Sequence, residues 1–223
     1  MTYDILKTFD FKLSTFIMSR LINDLIRTGY LRSDDIIEAF SKVHRREFIP
    51  NDFHAQAEAN ISLPIGHGQT ISQPLIVAFM LELLELHKGQ NILDIGSGSG
   101  WTTALLAHVV GETGHVSALE VIPELCAYGE KNVNKFGFIK KGIVQFHCQS
   151  AENGFVENAP YDRILVSASA DRILIAFKEQ LKVGGKMVIP INNEIWFVEK
   201  KGLADFVIEK FSGFSFVPFV GKH

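Results

Sequence analysis

The sequence predicts an α/β fold: a doubly wound, mostly parallel sheet of seven strands with an N-terminal helical extension. Three observations carry this. From residue 75 onward, short apolar runs of strand length alternate with helix-patterned segments of ten or so residues. A glycine-rich turn at 96–100 separates one such run from the next helix, as in sheets that bind ligands at the carboxyl ends of their strands. Ahead of residue 50 the apolar spacing is helical throughout.

Between Thr15 and Ile26 the residues Phe16, Ile17, Leu21, Ile22, Leu25 and Ile26 recur at helical spacing, and Gly29 is the expected stop. Ser33 then precedes Asp34, Asp35, Ile36, Ile37 and Phe40, which reads as a capped helix with its acids near the positive end of the dipole. A third short helix precedes Pro50. Residues 51 to 74 hold no sustained period but carry Pro64, Gly66, Gly68 and Pro74, so an irregular loop is expected there. Leu75 to Leu84 is a helix, 91–95 a buried strand and 101–110 a helix. Next come a strand at 115–119 and a helix at 124–136 that opens near Pro123. Strands follow at 143–147 and 163–167, then a helix at 173–181 ended by Gly184 and Gly185. The sheet closes with 187–191, 195–199 and 206–211, the last two as an antiparallel pair.

A chain of 223 residues, 47% hydrophobic, is long enough for one core. The expectation is a single domain over 1–223, with helices and a substrate loop in 1–74 and the ligand-binding α/β core in 75–223. Lysine and arginine total 22 against 25 acids, for a formal charge of -3, so nucleic acid is not the expected partner. No stretch of about eighteen uncharged apolar residues is present, and no membrane partner is expected. Cys126 and Cys148 form no CxxC pair, and no His, Cys, Asp and Glu cluster has metal-ligand spacing. No metal is expected, and the cytoplasm is the expected compartment. The 18 phenylalanines are expected to pack the core.

The run from Asp94 through Gly96, Ser97, Gly98, Ser99 and Gly100 places three glycines where backbone must bend tightly and approach a ligand. The dinucleotide pattern G-x-G-x-x-G requires a third glycine at 101, where Trp101 stands, which argues against a pyrophosphate. Glu120 ends an apolar strand at the edge where such sheets bind ligands, and an acid there can accept both hydroxyls of a ribose. That suits adenosine in either S-adenosylmethionine or NAD. Asp94, two residues before the first glycine, favours a ligand carrying positive charge, such as the ammonium of a methionine moiety. Ser72, just before Pro74 and an apolar helix, would on local grounds serve as that helix's N-cap.

The stretch Gly66-His67-Gly68-Gln69-Thr70-Ile71-Ser72-Gln73-Pro74 is similar to the GxGQTISxP loop of the protein-L-isoaspartate O-methyltransferases. The likeness continues in order through LDIGSGSGW, the strand ending at Glu120, Ala159-Pro160-Tyr161-Asp162, the run from Gln180 to Pro190, and Phe216-Val217-Pro218-Phe219, spanning roughly 44 to 219. The resemblance implies a Rossmann-like methyltransferase. Its methyl donor would be S-adenosyl-L-methionine, its product S-adenosyl-L-homocysteine, and its acceptor the freed α-carboxylate of L-isoaspartyl residues in damaged proteins or peptides.

Ser72 matches the active-site serine of that family, and Gly96, Gly98 and Glu120 match its cofactor positions. With them, Asp94, Ser97, Gly100, Ser150 and Ala151 are expected at the cofactor; His67, Gln69, Thr70, Ile71, Ser167 and Phe219 are expected at the acceptor. A monomer is expected. Two segments depart from the family pattern: Gln149-Ser150-Ala151, where Gly-Asp-Gly is usual, and Val166 to Asp171, where V-T-A-A-A-P is usual. Three other functions share such a scaffold: a methyltransferase with another carboxylate or a small-molecule acceptor, a non-catalytic adenosine-binding module, and an NAD-dependent oxidoreductase. Because a carboxylate is already ionised at neutral pH, its attack on a sulfonium methyl requires no strong base. Ser72 is therefore expected to orient the acceptor rather than act as a nucleophile.

Overall fold

The computed structural model describes residues 18–216. Two short helices lead: α1 (Arg20–Arg27) and α2 (Asp34–Lys42). Helix α1 ends as expected, with Gly29 left-handed at φ +77° and the Tyr30 amide reaching back to the Leu25 carbonyl. The portion of the expected first helix before residue 18 lies outside the described residues. Ser33 occupies the α2 N-cap position without making the capping bond. Its hydroxyl instead donates to Glu82 Oε2 at 2.7 Å, while the Arg32 and Ser33 amides donate to Oε1 at 2.7 and 2.8 Å. A buried carboxylate with three donors ties the helical extension to the following core.

The stretch expected to be an irregular loop is ordered by its own backbone. After 3₁₀ turns at Arg45–Phe48 and Asn51–Gln56, strands β1 (Leu63–Gly66) and β2 (Gln69–Ile71) pair antiparallel. Gly66, His67 and Gly68 all have positive φ (+93°, +52° and +70°) at the hairpin tip. The glycines that marked a loop supply the left-handed residues a tight reversal requires.

Helix α3 (Pro74–Leu84) leads into a seven-stranded sheet of order β5-β4-β3-β6-β7-β8-β9. Its strands are β3 (Asn91–Ile95), β4 (His115–Glu120), β5 (Val144–Cys148), β6 (Tyr161–Val166), β7 (Leu181–Ile191), β8 (Glu194–Lys200) and β9 (Phe206–Ser212). The first five pair in parallel, and β8 and β9 return antiparallel, as the sequence predicts. Helices α4 (Trp101–Val110), α5 (Pro123–Asn134) and α6 (Ile175–Gln180) are the crossovers. One expectation fails: Gly184 and Gly185 do not end α6, because Gln180 passes directly into β7. They sit in an irregularity of that strand, between the pairs Tyr161↔Leu181 and Arg163↔Lys186, with Gly184 at φ +80°.

One core cluster joins the N-terminal helices to the sheet, from Leu21, Leu25 and Phe40 through Leu81 and Trp101 to Ile92 and Val116. A second fills the opposite face around Leu93, Ile164, Phe177 and Met187. In the first cluster several phenylalanines meet in pairs, including Phe48 on Phe136 at 5.5 Å and Phe79 on Phe214 at 5.6 Å. Strand order reverses between β3 and β6, so the carboxyl ends of β3, β4 and β6 converge where such sheets open a crevice.

Candidate active site

The glycine loop sits in that crevice. The amides of Gly96 and Ser97 donate to the Leu119 carbonyl at 2.9 and 3.1 Å, and the Gly98 amide donates to Glu120 Oε2 at 2.8 Å. Glu120 Oε1 accepts the Ile122 amide at 3.0 Å. The acid at the end of β4 thereby fixes the loop, and each oxygen keeps a further lone pair for a ligand. Gly96, Gly98 and Gly100 have φ of +74°, +51° and +85°, which L side chains rarely adopt. Gly100 is crowded as well: a Cβ there would lie 2.8 Å from the Gly129 carbonyl oxygen of α5.

Asp94 lies beneath this loop rather than in a cleft wall and is wholly buried. Its Oδ2 accepts from the Thr103 hydroxyl at 2.6 Å and the Thr102 hydroxyl at 3.2 Å, while Oδ1 has no partner. Burial pushes its carboxyl up to about 6, against the two threonine bonds that favour ionisation. The carboxylate is held at the start of α4, where the helix dipole favours a negative charge. Ser97 Oγ is also buried without a partner.

Two clefts meet over the loop. The first has the glycine loop as its floor, Leu119, Glu120 and Ile122 on one side, Ile65, Gln69, Thr70, Ile71 and Ser72 on the other, and Gln149 and Ala151 at one end. The second is lined by Ser62, Gln73, Leu75, Ile76 and the segment Gly213 to Phe216. Thr70, Ser72 and Ser167 belong to both walls. The Ser167 amide donates to the Ile95 carbonyl at 2.9 Å, which extends β6 to that junction.

Ser72 is not the N-cap of α3: Gln73 takes that position, and no side chain caps the helix. The carbonyl of Ser72 accepts a hydrogen bond from Arg45 Nη2 at 3.1 Å. Arg45 itself is 3% exposed, and burial pulls its guanidinium down to about 10, which leaves it charged at neutral pH.

The structure thus gathers Ser72, Gln69, Thr70, Ile71, Ser167, Gly96, Ser97, Gly98, Glu120 and Ala151 at the two clefts. Gly100 supports the loop from below. Ser150 stands beside the cleft, its hydroxyl accepting the Glu152 amide at 3.3 Å, while its neighbours Gln149 and Ala151 line it. His67 is exposed at the hairpin tip and lines neither cleft. Phe219 lies outside the described residues. Sequence reasoning passed over Ile122 and Leu125 as cleft residues; their one signal was an apolar pair following the acid at a strand's carboxyl end. Among the described residues no group of three His, Cys, Asp or Glu is placed to hold a metal ion, and no helix is long and apolar enough to cross a membrane.

Comparison with known proteins agrees with this geometry. Residues 17–223 match the family model described as Protein-L-isoaspartate(D-aspartate) O-methyltransferase (PCMT). A protein-L-isoaspartate O-methyltransferase of Methanopyrus kandleri is 41% identical over 207 residues, covering 91% of each chain. One from Thermococcus onnurineus is also 41% identical, covering 91% of this chain and 92% of its own. Among solved structures, a beta-aspartate methyltransferase (PCMT) from Plasmodium falciparum in complex with S-adenosyl-L-homocysteine superimposes with a TM-score of 0.81 at 24% identity, covering 90% of this chain and 96% of that one. A second solved protein-L-isoaspartate O-methyltransferase gives a TM-score of 0.82 at 30% identity; the match covers 90% of this chain and 65% of that one. With the family model covering the glycine loop, the Thr70 to Ser72 hairpin edge and the strand ending at Glu120 in one alignment, this chain belongs to the protein-L-isoaspartate O-methyltransferase family.

Proposed function

We propose that this protein transfers a methyl group from S-adenosyl-L-methionine to the α-carboxylate of L-isoaspartyl residues in damaged proteins, with Ser72 orienting the acceptor. The observation that carries this is the meeting of two clefts at Thr70, Ser72 and Ser167, one floored by the glycine loop and the other open beside it. A transfer between two bound molecules requires that junction.

The first cleft fits the donor. Gly96 and Gly98 leave room for backbone to approach a ligand: the nearest atom to a Cβ placed on Gly98 is Ile65 Cδ1 at 3.4 Å, and none lies closer than 3.8 Å to one placed on Gly96. Glu120 offers free lone pairs to a ribose, and Ile122 and Leu125 offer apolar surface to a base. The unpartnered Asp94 Oδ1 beneath the loop and Ser97 Oγ in the cleft's lining are buried polar atoms, and the Asp94 carboxylate favours a cationic amino-acid moiety over the loop. When bound, S-adenosyl-L-methionine supplies a methyl group on a positively charged sulfur.

In the second cleft, Ser72 and Thr70 present hydroxyls at the junction, and Leu75, Ile76, Phe214 and Phe216 surround the approach with apolar surface. A hydroxyl donating to the acceptor carboxylate holds one oxygen in place and leaves the other to attack. No proton has to be removed, because the carboxylate is ionised at neutral pH. The chain's contribution is therefore alignment and exclusion of water, and well-oriented systems gain on the order of 7 to 11 kcal/mol from alignment.

The test is methyl transfer from labelled S-adenosyl-L-methionine to an isoaspartyl peptide and to its normal aspartyl twin. Label should enter the isoaspartyl peptide alone; equal labelling of both, or of neither, would remove the repair function.

A further inference from the structure

Arg45 reaches the active site through backbone carbonyls and the ring of Trp101. It lies in the 3₁₀ turn Arg45–Phe48, lines neither cleft, and is 3% exposed. Nη1 donates to the carbonyls of Ala57 and Ala59 at 3.3 and 3.2 Å, and Nη2 to those of Ile61 and Ser72 at 2.8 and 3.1 Å. The guanidinium carbon stands 5.4 Å from the centre of the Trp101 ring, and the Trp101 indole N–H donates to the Val43 carbonyl at 3.3 Å. Trp101 is the first residue of α4, directly after the glycine loop, and forms part of the first cleft's wall.

One buried cation thus touches the turn segment 57–61 ahead of the hairpin, the residue leaving it, and the helix that begins where the glycine loop ends. Among the described residues its hydrogen-bond partners are carbonyl oxygens, and an aromatic face lies beside it; Glu58 favours the charge, but no carboxylate makes a direct contact with it. Nε has no partner at all. A buried charge is costly, and a fold that needed only to fill this space would be served by an apolar side chain. The geometry of a planar fork, however, is matched to several carbonyls at once in a way a single ammonium is not.

We infer that Arg45 is a positioning residue for methyl transfer: by clasping the Ser72 carbonyl and the 57–61 backbone against Trp101, it fixes the serine relative to the glycine loop. This rests on the reading of Ser72 given above. Turnover therefore depends on Arg45 through Ser72, while donor binding does not.

The experiment is a double-mutant cycle of Arg45→Lys and Ser72→Ala, measuring kcat and KM on an isoaspartyl peptide, the dissociation constant of S-adenosyl-L-homocysteine by calorimetry, and Tm with that ligand present. Arg45→Lys alone should lower kcat roughly tenfold or more with ligand affinity changed less than about threefold, and the same substitution in the Ser72→Ala background should cost less than threefold. A loss of kcat equal in both backgrounds, or one matched by an equal loss of ligand affinity, would overturn the inference. So would failure of Arg45→Lys and of a second variant, Arg45→Gln, to fold with ligand bound, since Arg45 would then be a requirement of the fold alone. If Ser72→Ala leaves wild-type turnover unchanged, it is the role of Ser72 that fails, an outcome distinct from loss of coupling.

Discussion

At the scale of single residues, charge placement decides what the site can hold. Asp94 is the sharpest case, because its carboxyl is buried, keeps one unpartnered oxygen and is pushed up to about 6 from an ordinary value of 3.8. A raised carboxyl favours the protonated form in the fold, so its stabilising contribution is complete below pH 3.8 and is lost as pH rises through about 6. A shift of this size corresponds to roughly 3 kcal/mol. Urea unfolding of the ligand-free protein at pH 4.5 and pH 7 should show wild type losing roughly 2 kcal/mol of stability relative to Asp94→Asn, the part of the shift that falls between those two pH values; a difference independent of pH would mean that Asp94 titrates normally. Asp94 and Glu120 were legible in the sequence from their positions beside the glycines, although Asp94 proves to sit under the loop rather than in the wall. Arg45 was not legible, because its carbonyl partners lie 12 to 27 residues away and are backbone atoms, which leave no mark in side-chain pattern.

At the scale of elements, the glycine loop is shaped by the helix behind it as much as by its own sequence. Gly129 of α5 and Gly100 of the loop are mutually close: a Cβ on Gly129 would meet the Gly98 carbonyl oxygen at 2.7 Å and the Gly100 amide nitrogen at 3.3 Å. Gly129→Ala would gain about 1 kcal/mol of helix propensity yet force backbone apart, at a cost of roughly 1 to 3 kcal/mol. The expected outcome is a lower Tm together with weaker S-adenosyl-L-homocysteine binding, since the atoms displaced belong to the ligand's floor; a Tm at or above wild type with unchanged binding would contradict it. The helix pattern did not single out Gly129, because a glycine required by a partner loop looks the same in sequence as one tolerated on a surface. The parallel strands and their crossovers were readable, since burial on both faces imposes continuous apolar runs. The Leu63–Ile71 hairpin was not, because its strands are short and its turn is built from three left-handed residues, Gly66 to Gly68, that read locally as loop. Gly184 and Gly185 misled for the same reason: local chemistry marks a break, and only pairing with β6 shows the break to lie inside a strand.

At the scale of the whole molecule, the sheet's reversal of strand order between β3 and β6 opens the crevice, and the Leu63–Ile71 hairpin closes one side of it and leads to Ser72 at the line where the two clefts join. The most direct measurement is a crystal structure of the protein with S-adenosyl-L-homocysteine and an isoaspartyl peptide. The expected result has the ribose on Glu120, the sulfur facing the junction, and the acceptor carboxylate held by Ser72, with one oxygen about 3 to 3.5 Å from where a methyl carbon would stand. A nucleoside seated away from Glu120, or a carboxylate bound beyond reach of Ser72, would contradict it.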